Sequence, residues 1–317
     1  MDLSGHNSYN RRQFLRLAAA LGLSSGLASC GSQPAVPTRE PLPPPPSGEG
    51  AYLSVARGAD PRAITRAAVE ALGGMGRFVK SGAEVILKPN ICVDYRTYEY
   101  GATTNPDVVA ALVELCLGAG ARRVRVMDNP FGGGPESAYA TSGIAGAVRA
   151  AGGEMEIMNR NKFRKAEIPA GLDLKSWDVY QEVLTADVLI NVPVAKHHSL
   201  GRLSLGGKNL LGVVSNPSRF HANLGQRVAD LTSLVRPTLT LVDAVRTLMS
   251  HGPTGGNLED VRLAETVIAS HDPVAADAYA ATLFDLTGAD IPYVKAAAAM
   301  GLGTLDLDSV RVEEIVV

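Results

Sequence analysis

The feature that most constrains this chain is an alternation that begins at Ala51, where short runs rich in β-branched residues are separated by Ala-rich runs with helical spacing. Strands that alternate with helices argue for an α/β fold, a largely parallel, Rossmann-like sheet with helices on both faces. Residues 51–57, 84–89, 124–128, 154–159, 188–194, 238–243, 263–270 and 310–317 read as strands. Residues 61–72, 106–117, 137–151, 224–235, 274–286 and 294–300 read as helices. Three of these helices carry an expected cap followed by proline, Asp60-Pro61, Asn105-Pro106 and Asp272-Pro273. With 46% hydrophobic and 20% charged residues in 317, the chain can bury a sizeable core. The reading assigns 51–317 to a single α/β domain.

The first fifty residues read differently. Asn10-Arg11-Arg12-Gln13-Phe14-Leu15-Arg16 resembles a twin-arginine export signal, and Leu27-Ala28-Ser29-Cys30 after an apolar stretch resembles a lipobox. Residues 1–30 are therefore expected to be a signal ending at Cys30, the lipidated residue, with the twin-arginine machinery as partner. Residues 34–46 hold seven Pro, so 31–50 reads as an extended linker. Together these place the domain on the periplasmic side of a bacterial envelope as a membrane-anchored lipoprotein. Net charge is −2, and removing residues 1–29, with three Arg and one Asp, leaves −4. That balance excludes the basic footprint of a nucleic-acid binder.

Ligands of open parallel sheets bind beyond the carboxyl ends of the strands. Four expected strand ends carry polar groups: Lys88 with Asn90, Asp128 with Asn129, Lys196 with His197 and His198, and Asp243. A lysine inside Val85-Ile86-Leu87-Lys88-Pro89-Asn90 must snorkel, pair with a carboxylate or serve a ligand. In Leu205-Gly206-Gly207-Lys208-Asn209-Leu210-Leu211-Gly212 the glycines would let amides reach an anion and Lys208 would supply charge. The alternative there is a glycine turn with a solvated lysine. Gly132-Gly133-Gly134-Pro135 reads more readily as a bend than as a phosphate loop. Residues 251–256 read as a mobile lid or a plain surface loop.

Histidine is absent from 51 to 196, and then His197, His198, His221, His251 and His271 follow. His197, His198 and His221 are the candidates for a divalent metal, without supporting H-x-x-x-H spacing. His198 or His221 would move a proton, and Asp243 and Asp277 would orient a Lys or His. Cys116 lies on the stripe Val108, Val109, Leu112, Val113 and reads as core, whereas Cys92 reads as an exposed loop thiol. A Cys92–Cys116 disulfide is the alternative for an oxidising compartment.

In this order the strings 85–90, Thr103-Thr104-Asn105-Pro106, the strand ending at Asp128, Val194-Ala195-Lys196-His197-His198, 205–212, Asp243, Gly252-Pro253 and 271–277 resemble the domain-of-unknown-function 362 family. Some members carry ferredoxin-type iron–sulfur modules; this chain has three Cys and no C-x-x-C pair, so that role does not carry over. The reading that results is an exported enzyme performing redox or isomerising, metal-assisted or anion-assisted chemistry on a small anionic substrate. Lys196, His198, Lys208, His221 and Asp243 would be catalytic, and Lys88, Asn90, Gly206, Gly207, Asn209, Asp128 and Asp277 would bind the ligand. The alternative is a non-catalytic metal- or ligand-binding lipoprotein.

Overall fold

The computed structural model describes residues 50–317. The export, lipidation and linker readings therefore lie outside the described residues. Among the described residues there are twelve strands: β1 (Leu53–Arg57), β2 (Glu84–Pro89), β3 (Arg123–Val126), β4 (Glu154–Met155), β5 (Phe163–Glu167), β6 (Ser176–Tyr180), β7 (Val188–Val192), β8 (Val194–His198), β9 (Arg202–Ser204), β10 (Leu239–Leu248), β11 (Val261–Ser270) and β12 (Val312–Val316). The main sheet runs β12-β1-β11-β10-β7-β2-β3-β4, with β8 beside β10 and β9 beside β8. Six of its nine pairings are parallel, and the three antiparallel ones are β1–β11, β10–β11 and β8–β9. The sheet is thus mixed and mostly parallel.

The two faces follow from the period-two pleat. In β2, Val85 and Leu87 join the core under the helices Pro61–Ala71 and Pro106–Gly118, while Ile86 joins the opposite core. In β10, Leu239 and Leu241 turn one way and Val242 and Ala244 the other. The second core lies under the helices Leu224–Val235, Pro273–Thr282 and Pro292–Ala299. A strand covered on both faces reads as a near-continuous apolar run, which explains Val188–Ile190 at the start of β7.

The expected caps are in place. Asp60 accepts from the Arg62 amide, Asn105 from Asp107, and Asp272 from Val274 and Ala275. Other boundaries differ from the sequence reading. The strand expected to stop at Asp243 continues to Leu248, because β11 pairs with it along its length. The strand expected to end at Val194 breaks at Pro193, which has no amide to donate, and resumes as β8. Lys196 is therefore inside a strand. Gly143, at φ 78°, splits the expected 137–151 helix into Pro135–Thr141 and Ile144–Ala150. The β5–β6 hairpin has no counterpart in the sequence reading. Among the described residues no helix is long and apolar enough to cross a membrane.

Candidate functional site

The site lies at the carboxyl ends of β2 and β7 and along β8. Lys88 and Asn191 are register partners on β2 and β7, so two polar side chains interrupt two apolar strands at one level. Lys88 is 1% exposed, with hydrogen bonds to two oxygens and an ion pair to a third. Its Nζ lies 2.7 Å from Asp128 Oδ1, 2.9 Å from the Pro89 carbonyl and 2.8 Å from Asn209 Oδ1. Burial pulls the Lys88 pKa down, the Asp128 carboxylate pulls it up, and the charge of Lys196 adds to the depression. The second oxygen of Asp128 accepts from the Ile91 amide at 2.7 Å. Gly212, which ends the Gly-Lys-Asn motif, closes over this pair: a Cβ there would stand 2.2 Å from Asp128 Oδ1 and 2.6 Å from Lys88 Nζ.

Asn209 and Asn90 extend the network. Asn209 Oδ1 accepts from Lys88 and, at 3.0 Å, from Asn90 Nδ2, while its own Nδ2 donates to Asn191 Oδ1 at 2.8 Å. Asn90 Oδ1 accepts from Lys196 Nζ at 2.9 Å. The Lys196 amine, on a side chain 2% exposed, also donates to the Ala102 carbonyl at 2.6 Å. No carboxylate oxygen lies within ion-pair distance of Lys196 among the described residues, so its charge is met by neutral dipoles. Thr104 fixes the floor by accepting from the Asn90 amide at 2.8 Å and donating to the Val192 carbonyl at 2.8 Å.

Lys208 sits above this floor with no hydrogen-bond or ion-pair partner among the described residues. Its stem packs beside Gly201, where an added Cβ would stand 3.3 Å from Lys208 Cδ. Burial first, and the charge of Lys196 second, lower its pKa to about 8, while Cys92 nearby opposes the shift. The charge of Lys196 thus reaches both the Lys88 and the Lys208 amines.

His198 borders Lys208. Its Nδ1 accepts from the amides of Leu200 at 3.1 Å and Gly201 at 3.2 Å, so the ring proton must be on Nε2. Burial, then Lys208 and Lys196, push its pKa down to about 3. The ring has no free lone pair in this tautomer. The proton-moving role expected of His198 is therefore replaced by that of a fixed neutral donor. We expect two-dimensional ¹⁵N spectra of the His198 ring to hold the Nε2–H pattern unchanged between pH 5 and 8. A protonation step in that interval would overturn this assignment.

His221 is exposed, with its ring centroid 6.4 Å from that of His198; burial and Lys208 lower its pKa. His197 is committed elsewhere: its Nδ1 accepts from the Gly252 amide at 3.2 Å. The three candidate metal ligands therefore do not converge, and among the described residues no three His, Cys, Asp or Glu side chains form a metal-ligating set.

Several other expectations change. The Gly206 and Gly207 amides do not await an external anion, because Asp277 accepts from them at 2.6 and 2.9 Å. That buried carboxylate, pushed up to about 7 by desolvation, positions the turn that presents Lys208. Asp243 contacts neither a Lys nor a His. It accepts from the Asn105 amide at 2.6 Å and the Val245 amide at 2.9 Å, anchoring the helix Pro106–Gly118, and burial raises it to about 6. The glycine run at 132–134 is likewise filled from within, by Asp94, which accepts from Ser137 Oγ and the Gly134 amide. Cys92 is 5% exposed, not a surface thiol, and Cys92 and Cys116 are both free. The 251–256 loop is pinned over the site, by His197 at Gly252 and by the Cys92 thiol donating to the Pro253 carbonyl at 3.5 Å. Asn191 and Thr104 were missed as site residues; a lone Asn in the apolar run Val188–Val192 was the available signal for the first.

Comparison with known proteins adds a relative and two distant likenesses. A "thylakoid-associated protein" of Synechocystis is 29% identical over 252 residues, 76% of this chain and 75% of its own. A lactate racemase apoprotein from Thermoanaerobacterium thermosaccharolyticum aligns over 68% of this chain and 53% of its own, at 10% identity and a TM-score of 0.43. A protein from Thermotoga maritima aligns over 77% of this chain and 60% of its own, at 12% identity and a TM-score of 0.35. The two solved structures are too remote to bear on chemistry. The family model described as "Domain of unknown function (DUF362)" matches residues 85–282, which hold every side chain of the crevice, and the chain belongs to that family.

Proposed function

We propose that the protein is an exported, lipid-anchored enzyme that binds a small carboxylate-bearing substrate in the Lys196–Lys208 crevice and moves a proton to or from it. The observation that carries this reading is a pair of amines, one buried and one largely so, without a carboxylate partner, beside a histidine that can only donate. Two like charges brought together out of water destabilise the fold unless an anion completes them. In the bound complex Lys196 would hold the carboxylate. The Nε2–H of His198 would stabilise oxyanion charge that develops on the substrate, as fixed donors do in dry sites. Lys208, its pKa lowered by burial to about 8, would give or take the proton. That is isomerising chemistry at a carbon next to a carboxyl or carbonyl group. Export and attachment at Cys30 rest on Arg11-Arg12 and Leu27-Ala28-Ser29-Cys30.

The test is titration calorimetry with oxalate, combined with NMR detection of α-deuterium wash-in to a panel of small carboxylic acids in D₂O. Saturable oxalate binding is expected to weaken as pH rises through about 8, where Lys208 loses its charge. Lys208→Met is expected to weaken it at least tenfold, the loss of about 1.5–3 kcal/mol for a charge-assisted contact. Binding without exchange in any acid would assign the crevice to capture. Absence of saturable binding in the folded protein would overturn the anion reading itself.

A further inference from the structure

We infer that Lys208 is a nucleophile that forms an imine with the carbonyl carbon of a small oxo acid bound in the crevice. This rests on the anion-site reading and narrows it, since the substrate becomes a carbonyl compound that also carries a carboxylate. The geometry separates the three amines by task. Lys88 is committed to Asp128, Pro89 and Asn209. Lys196 is tied by Asn90 and Ala102 and keeps one hydrogen for an anion. Lys208 alone of the three has no partner, and its stem is held against Gly201 while its tip stays free.

An amine becomes a nucleophile when it is desolvated or placed beside another cation, because both favour its neutral form. Both conditions act on Lys208, through burial and through Lys196. The competing nucleophile, Cys92, has its thiol hydrogen turned to the Pro253 carbonyl. His198, locked as an Nε2–H donor by the Leu200 and Gly201 amides, borders the same amine and suits the carbonyl oxygen.

The step balances without an oxidant. The Lys208 lone pair adds to the carbonyl carbon and the C=O π pair moves to oxygen. The oxygen gains a proton as the nitrogen loses one, giving a carbinolamine. A solvent proton then joins the hydroxyl, the nitrogen lone pair forms the C=N bond as the C–O bond breaks, and water leaves a protonated imine on Lys208. The overall change is amine plus carbonyl plus one proton to protonated imine plus water. The positively charged imine would acidify the neighbouring C–H bond, and because the Lys208 nitrogen is then held in the imine, the proton assigned above to the free amine passes to solvent water instead.

The experiment treats the protein with pyruvate or 2-oxoglutarate and sodium borohydride, then maps the reduced adduct by peptide mass spectrometry. One adduct per chain is expected, on Lys208, trapped at least about tenfold faster than on the exposed Lys165. Lys208→Arg, which keeps the charge but has no nucleophilic amine, is expected to keep its circular dichroism spectrum and form no crevice adduct. Wild-type protein that binds oxalate by calorimetry yet traps nothing at Lys208 would overturn the imine and leave the anion site standing. Failure of oxalate binding as well would remove both. Labelling of Lys208 no faster than Lys165 would also overturn the inference.

Discussion

Asp128→Ala is expected to destabilise the fold by about 3–5 kcal/mol, because it strands a buried ammonium without its counter-charge. Lys88 is 1% exposed, and the Asp128 carboxylate 2.7 Å away is its only anionic partner among the described residues. The remaining acceptors, a carbonyl and an amide oxygen, offset only part of the desolvation. The same change frees the Ile91 amide, so the start of the loop that carries Cys92 loses its anchor as well. Lys88→Met combined with Asp128→Ala is expected to recover a large part of the loss, since no buried charge remains. Urea unfolding followed by circular dichroism measures both. A single-variant loss below about 1 kcal/mol, the scale of an exposed pair, would show that the ion pair is not the keystone of the floor.

Lys208→Met is expected to act in the opposite sense on stability. The Lys208 pKa falls from 10.5 to about 8 on folding, so the folded state disfavours its charged form. Below pH 8 the full penalty applies, and removal of the amine should raise stability by about 2 kcal/mol once solvent screening is allowed for. Between pH 8 and 10.5 the folded amine is neutral while the unfolded one is still charged, so the advantage shrinks. Above 10.5 it is gone. The same variant loses oxalate affinity. A side chain whose deletion stabilises the protein while weakening binding is maintained for its chemistry and not for the fold. The readout is the difference in urea midpoint between wild type and variant at pH 7, 9 and 11. A variant less stable than wild type at pH 7 would sink the argument that Lys208 is an uncompensated charge.

These two lysines show what kind of statement each level of description supports. That Lys88 must pair, snorkel or serve a ligand follows from its place in an apolar run; that it pairs with Asp128 does not. The two residues are forty positions apart and meet because β2 and β3 are parallel neighbours. Asp277 is a sharper instance. It was expected to orient a Lys or His or to bind the ligand, yet it accepts from the Gly206 and Gly207 amides, seventy-one and seventy residues away. The Gly206 and Gly207 amides were expected to meet a bound ligand; their acceptor is a carboxyl group of the chain itself. Asp243 differs for the same reason: the strand that carries it runs on past it beside β11, so its carboxylate meets a helix start and not a ligand.

Local chemistry was therefore legible. Asp60, Asn105 and Asp272 cap their helices because a side-chain oxygen satisfies amides two or three residues ahead, an interaction written within four consecutive letters. The strand–helix alternation determined the α/β class, and the apolar runs determined which strands are covered on both faces. Register, the antiparallel insertion of β11 and the pairing of Lys88 with Asp128 were decided only by tertiary structure. Each depends on which distant amide or carboxylate reaches a given polar atom, and the strength of those contacts depends on water being excluded around them. A linear pattern records the polar groups; the closed fold alone decides which of them, as Lys208 here, is left without a partner.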